Sequence, residues 1–297
     1  MTTLLAVGMG YCARRLAAVS RGGLTRVIGT SRSARGAAEL PSLSHPGLTV
    51  EGLVFDGAGY DPDLARAIRA AQVLLVSAPP DEQGDPLLRV AARDLEAAPD
   101  LRHVIYLTTL GIYGDQKGGW VDETTPPQGT SARLARRIAA EDQWRAFGTR
   151  KGVPVAILRL AGIYGPGRNA LAQIKAGEAR AIHKPGQVFN RIHVDDICAA
   201  IQAVMRHHFD GVVNVTDDLP APAAEPIQAA AALLGLPAPE VIAFEEAAKS
   251  MSPMALSFWS GSKRVRNHRL KAELGVDLKY PTYREGLAAL HAAGEGH

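Results

Sequence analysis

Two cysteines in 297 residues, Cys12 and Cys198, are too few and too far apart for a disulfide framework or a thiolate metal cluster. No zinc site is expected, and the usage suits a reducing compartment. Charge of one sign is also lacking: 33 basic residues against 30 acidic ones leave a formal net charge of +3, spread along the chain. Such a field is too weak to draw nucleic acid or an anionic membrane, so the expected partner is a small molecule. No window reaches the roughly 18 apolar residues of a membrane span, and no basic leader precedes the short apolar run at the N-terminus. A cytoplasmic location is the expectation. A hydrophobic content of 46% excludes a disordered chain and describes a globular one, long enough for one large domain or two coupled ones.

What is present begins at residues 4–13, Leu-Leu-Ala-Val-Gly-Met-Gly-Tyr-Cys-Ala. An apolar strand turns glycine-rich and leads into a helix. Gly8 and Gly10 supply a tight turn and close backbone approach, and Ala13 lets helix and strand touch. The helix N-terminus then offers N–H groups to a pyrophosphate. An ordinary βα turn that needs glycine gives the same short pattern, so the neighbouring segments decide.

The next strand, residues 26–31, ends in Thr30, Ser31, Arg32 and Ser33. A dinucleotide fold that prefers NAD carries Asp or Glu about 20 residues after the glycines, to bond the ribose 2′-hydroxyl. Here the first acid after the strand is Glu39. Ser31, Arg32 and Arg35 suit a 2′-phosphate instead, which favours NADP over NAD; a solvated basic loop is the alternative. A third strand, residues 49–55, stops at Asp56, which either faces the adenine or serves as a turn acid. Asp-Pro-Asp opens a helix over 61–71, and the apolar strand Val73–Val76 ends in Ser77, Ala78 and Pro79, small enough to leave room for a ligand. A helix over 85–98 and a strand over 103–109 follow. This alternation predicts an α/β fold, a doubly wound parallel sheet of the Rossmann type with its ligands at the carboxyl ends of the strands. Thr108 and Thr109 stand at such an end.

Residues 106–115, Tyr-Leu-Thr-Thr-Leu-Gly-Ile-Tyr-Gly-Asp, resemble the Ser/Thr motif of the extended short-chain dehydrogenase/reductases, which include the nucleotide-sugar epimerases and dehydratases. Residues 155–168 resemble that family's sixth strand and following loop, 190–196 (Asn-Arg-Ile-His-Val-Asp-Asp) its Ile-His-Val-x-Asp turn, and 213–218 its Asn-Val-x-Asp strand end. Residues 262–287 are similar to its C-terminal helices. The resemblance covers nearly the whole chain. It implies an NADP-binding Rossmann domain over 1–165 and 191–217, with a small discontinuous substrate lobe over 166–190 and 218–297. It adds Tyr11, Cys12, Thr108, Arg137, Leu160, Ala161 and Gly162 to the cofactor contacts, and it implies a homodimer packed through the helices at 85–98 and 131–147.

The pattern also departs from the family. Its Tyr-x-x-x-Lys motif falls on Arg133 and Arg137, counted back from Glu141. Arginine cannot cycle a proton near neutral pH, so Arg133 cannot act as the missing phenol, whereas Arg137 can keep a positive charge near the ribose. At i, i+4 the two arginines either clamp an anion or form a solvated face. Tyr113, His183 and His193 are the candidate acid/base groups, although in the family the tyrosine at the Tyr113 position usually packs and the histidine of the Ile-His-Val turn anchors structure. The arginine that holds a pyrophosphate in nucleotide-sugar members is Phe189 here, and Arg191 takes a usual aromatic position. Arg168, Lys184 and Arg191 could form a different anion site. The apolar stretch 252–259 either lines a substrate pocket or packs a core. The expected function is an NADP(H)-dependent oxidoreductase or epimerase/dehydratase-like enzyme on a small polar metabolite, with Thr109 orienting the substrate; the alternative is a non-catalytic NADP(H)-binding regulator.

Overall fold

The computed structural model describes residues 2–20, 22–59 and 61–296; Met1 and His297, at the outer bounds of the expected domains, lie outside the described residues. Five strands, β1 (Thr2–Val7), β2 (Leu24–Ser31), β3 (Thr49–Val54), β4 (Val73–Val76) and β5 (His103–Thr109), pair in the order β5-β4-β1-β2-β3. Every one of these pairings is parallel. Strands Val155–Leu160 and Gly211–Val215 extend the sheet beyond β5 to seven. The doubly wound α/β fold expected from the alternation is therefore the fold observed. β4 is buried throughout, as is all of β5 except Thr109, which is why both read as apolar runs rather than alternating ones.

Helices α1 (Tyr11–Val19), α2 (Ala34–Ala38), α3 (Pro62–Ala70), α4 (Pro86–Ala97) and α5 (Ala132–Lys151) belong to the same part of the chain. Asp61 and Asp85 cap α3 and α4, each accepting two backbone N–H bonds ahead of a proline in the first turn. Asp85 is buried, and its second oxygen accepts the indole N–H of Trp144 at 3.0 Å, so the cap also ties α4 to α5. α5 runs four residues past the expected end at Phe147, because Gly152, at φ 73°, supplies the left-handed stop. In the second part of the chain a helix spans Ala224–Leu233. Pro226 falls in its first turn, where no N–H is needed.

The chain divides into two compact units. The first comprises Met1–Ile112, Gly129–Arg159 and Cys198–Val213. Its core joins Leu5, Val7, Leu74 and Tyr106 of the sheet to Leu64, Leu87, Trp144 and Phe147 of the helices. Within it Arg159 donates to the Glu141 carboxylate at 2.8 and 3.2 Å, both side chains being buried. The second unit comprises Tyr113–Gln128, Leu160–Ile197 and Asn214–His297. Tyr164, Leu171, Ala230, Tyr283 and Leu287 centre its core. His193 is buried there between the rings of Tyr164 and Tyr280, at centroid separations of 5.1 and 4.1 Å. Asp196 accepts the N–H groups of Lys279 and Tyr280 at 2.7 and 3.1 Å.

Candidate cofactor site and ligand cavity

Gly8 ends β1 at φ +83°, and a Cβ there would lie 2.9 Å from the Ala78 nitrogen and 3.2 Å from the Ser77 hydroxyl. Only glycine fits. The turn is held from β2: Gly8 donates its N–H to the Thr30 hydroxyl at 2.9 Å, and Met9 donates to the Thr30 carbonyl at 2.8 Å. From β4, Ser77 donates its hydroxyl to the Gly8 carbonyl. α1 then starts at Tyr11 with no side-chain cap, Gly10 is exposed, and Cys12 and Ala13 are buried under the turn. A pyrophosphate requires N–H donors at a helix N-terminus, no side chain over the turn and no carboxylate in the first turn. The turn at Gly8–Ala13 meets all three conditions, so these residues fit the phosphates of NAD or NADP. The sequence places Thr30 at the strand end but assigns it no role. Next to it, a side chain at Gly29 would collide with Met9.

At the end of β2, Arg32 is exposed and has no hydrogen-bond or ion-pair partner among the described residues. Arg35, also exposed, pairs with Glu39 at 3.3 Å. Ser33 caps α2 by accepting from Gly36 at 3.1 Å, and the Ser31 hydroxyl lies 3.5 Å from the Ser33 N–H. Asp56 is exposed and accepts the Ala58 N–H at 2.9 Å, the geometry of a turn acid. Ala78 is half-buried and Pro79 exposed at the end of β4.

At the end of β5, Thr108 is buried with no hydrogen-bond partner for its hydroxyl among the described residues. Thr109 accepts the Gly111 N–H at 3.0 Å, which leaves its own O–H to donate. Arg137 donates to the Leu107 carbonyl at 3.3 Å, whereas Arg133 one turn earlier is exposed. Burial pushes the Tyr106 hydroxyl up, and the charge of Arg137 opposes that shift. Tyr113 is fully buried and donates to the Asn214 side chain at 2.8 Å, the setting of a packing residue. His193, enclosed by its two tyrosines, accepts the Asp195 N–H at 3.1 Å, and His183 is exposed. Leu160 is buried, while Ala161 and Gly162 donate their N–H groups to the Val215 and Asn190 carbonyls, both at 3.0 Å.

The second unit contains a cavity of about 410 Å³, lined among others by Tyr164, Arg168, Gln173, Phe189, Arg191 and Trp259. Arg191 donates to the carbonyls of Phe189 and Ala221, both at 3.1 Å, and of Pro222 at 3.2 Å. Phe189 meets Trp259 edge-on at 4.9 Å. Within the stretch 252–259 only Trp259 lines this space; Met254 and Phe258 are exposed. Lys184 donates to the Trp259 carbonyl at 2.6 Å. Burial pushes the Asp217 carboxyl up to about 8. No group of three or more His, Cys, Asp or Glu among the described residues is arranged to hold a metal ion, and no helix among them is long and apolar enough to cross a membrane.

Comparison with known proteins finds relatives of the whole fold and of part of the sequence. A solved structure from Silicibacter pomeroyi DSS, described as a functionally unknown conserved protein, is 45% identical, covers 99% of this chain and 100% of its own, and superposes with a TM-score of 0.85. The 3-diazoavenalumate denitrifying reductase of a Streptomyces species is 27% identical over 178 residues, 56% of this chain. The match spans 58% of that reductase's length. A dTDP-glucose 4,6-dehydratase from Bacillus anthracis, solved in complex with NAD, shares the fold at 18% identity and a TM-score of 0.77, covering 99% of this chain and 98% of its own. Residues 83–216 match the NAD dependent epimerase/dehydratase family. Over residues 83–216 the chain is thus similar to the NAD dependent epimerase/dehydratase family, and it shares the fold of that dehydratase.

Proposed function

We propose that this chain is an NADP(H)-dependent oxidoreductase, or an enzyme of the related epimerase/dehydratase chemistry, acting on a small polar metabolite. The observation that carries the cofactor choice is Arg32, a guanidinium without a partner among the described residues where an NAD-preferring site needs a carboxylate. In this reading Gly8, Gly10, Tyr11, Cys12 and Ala13 hold the pyrophosphate, and Ser31, Arg32 and Arg35 the 2′-phosphate. Asp56, Ser77, Ala78 and Pro79 border the adenosine. Thr108, Arg137, Leu160, Ala161 and Gly162 serve the nicotinamide half. Residues 1–165 and 191–217 carry the cofactor, and 166–190 and 218–297 the substrate.

Bound there, the cofactor supplies or accepts a hydride. Thr109 donates its O–H to the substrate oxygen, a proton that stays available while its oxygen accepts the Gly111 N–H. Arg137, fixed by the Leu107 carbonyl, keeps a positive charge beside the ribose. The 27% identity to a reductase supports an oxidoreductase. A second reading, a non-catalytic NADP(H)-binding regulator, draws on Arg133 at the family's tyrosine position and on the burial of Tyr113. Thermal melting with NADPH and NADH, followed by NADPH oxidation with a panel of carbonyl compounds, separates the two. At 100 times its dissociation constant NADPH adds about 2.7 kcal/mol of stability. Consumption supports the enzyme, tight binding without consumption the regulator, and no melting shift with either dinucleotide overturns both.

A further inference from the structure

The cavity of the second unit holds a cation that the fold orients but does not neutralise. A guanidinium has five N–H donors, and Arg191 gives three of them to the Phe189, Ala221 and Pro222 carbonyls. Those dipoles fix the plane of the group without cancelling its charge. Among the described residues no carboxylate lies within ion-pair distance of it, and Asp217, with its carboxyl pushed up to about 8, is largely protonated at neutral pH. Burial accordingly pulls the Arg191 guanidinium below its usual range. Two N–H donors are left, one on Nε and one on Nη2. That number serves one carboxylate side-on; it does not serve the two phosphates of a nucleotide sugar.

Much of the rest of the wall is apolar, with Tyr164, Asn169, Gln173 and Asn190 among its uncharged polar members. Phe189 and Trp259 meet at 79° with centroids 4.9 Å apart, and Phe244 backs Trp259 at 5.1 Å. The Tyr283 ring lies 5.7 Å from the Arg191 guanidinium carbon, and its hydroxyl is spent on Glu225 at 2.8 Å. Asn190 likewise has both ends of its amide occupied, by the Lys263 carbonyl and the Val265 N–H. A ligand rich in hydroxyl groups would find few free partners on these residues. Arg168, which is exposed, lines the same cavity.

We infer that this cavity takes a planar, aromatic or conjugated monocarboxylate, with its carboxylate on Arg191 and its ring against Phe189 and Trp259. The inference rests on the reading of the chain as an enzyme of small metabolites, and it names the class of substrate. Binding is measured without turnover, so that its failure and the failure of the enzyme reading are separate. Calorimetric titration compares cinnamate with cinnamamide, which has the same shape and no charge, and with UDP-glucose. The carboxylate is expected to bind at least about tenfold more tightly than the amide, the difference of one charge-assisted hydrogen-bond pair. Arg191→Met removes that difference. Because Arg191 also ties three carbonyls, Arg168→Met is a second variant that keeps the buried anchor and narrows the preference without abolishing it. Equal binding of acid and amide, absence of binding by both, or tighter binding of UDP-glucose overturns the inference, whether or not NADPH is consumed.

Discussion

Replacing Thr30 by Val tests whether the glycine turn is held in shape by β2. Valine keeps the volume and β-branching of threonine, and the residue is 1% exposed, so packing is preserved. What disappears is the hydroxyl that accepts the Gly8 N–H at 2.9 Å; the carbonyl that accepts from Met9 remains. A buried donor left without its acceptor costs about 1–3 kcal/mol, and because Gly8 is half-buried the lower part of that range applies, about 1–2 kcal/mol. For a chain of this size that lowers the melting temperature by roughly 2–4 °C. If the turn carries the pyrophosphate, NADPH affinity falls by about 5- to 30-fold as well. Thr30→Ser, which restores the acceptor, recovers most of both losses. Scanning calorimetry and NADPH titration read the two quantities separately. A valine variant that melts and binds NADPH like the parent chain refutes the argument that this bond shapes the site.

Other expectations follow from single contacts. Arg32→Glu brings back the carboxylate of an NAD-preferring site, and the ratio of NADPH to NADH affinity is expected to fall by at least about tenfold in paired titrations. Glu141→Ala takes away the carboxylate beside the buried Arg159 and should cost about 3–5 kcal/mol in denaturant unfolding, while the double change Glu141→Leu with Arg159→Met recovers much of it. Burial pushes His103 down from 6.5 to about 4, so below pH 6.5 the unfolded chain takes up a proton that the folded chain refuses. Stability should therefore fall as pH drops from 6.5 towards 4, by about 3 kcal/mol in all, and His103→Gln should flatten that part of the profile. Asp217, raised by burial, has the opposite sign: its contribution is full below pH 3.8 and is lost as pH rises through about 8, so Asp217→Asn should gain relative stability at alkaline pH.

The sheet and the glycine turn were legible because they rest on local signals. Apolar runs mark strands covered on both faces, Asp-Pro marks helix starts, and Gly8 marks a turn that a side chain would block. Arg32 was legible too, since the sign of the charge at a strand end is a property of the residue itself. The tertiary partners were not. Nothing adjacent to Thr30 announces that its hydroxyl reaches Gly8, 22 positions away, and nothing near Tyr113 shows that its phenol meets Asn214, 101 positions away. Glu141 stood out only as a landmark for counting, yet it is half of a buried ion pair. Arg191 was recognised as an odd residue at an aromatic position; that three carbonyls would fix its plane and leave its charge uncancelled depended on distant chain.

The order of strands also has a consequence for synthesis. β1 to β5 all emerge within the first 109 residues, and they form a five-stranded sheet with β3 at one edge and β5 at the other. The two remaining strands are added only on the β5 side, first Val155–Leu160 and then Gly211–Val215. Until some 50 further residues have been made, the nascent sheet presents β5 as an open edge of apolar side chains and unpaired backbone groups, the kind of surface that recruits chaperones or seeds aggregation. The strand that carries Thr108 and Thr109 is thus the one whose protection from wrong partners depends most on the chain still to come.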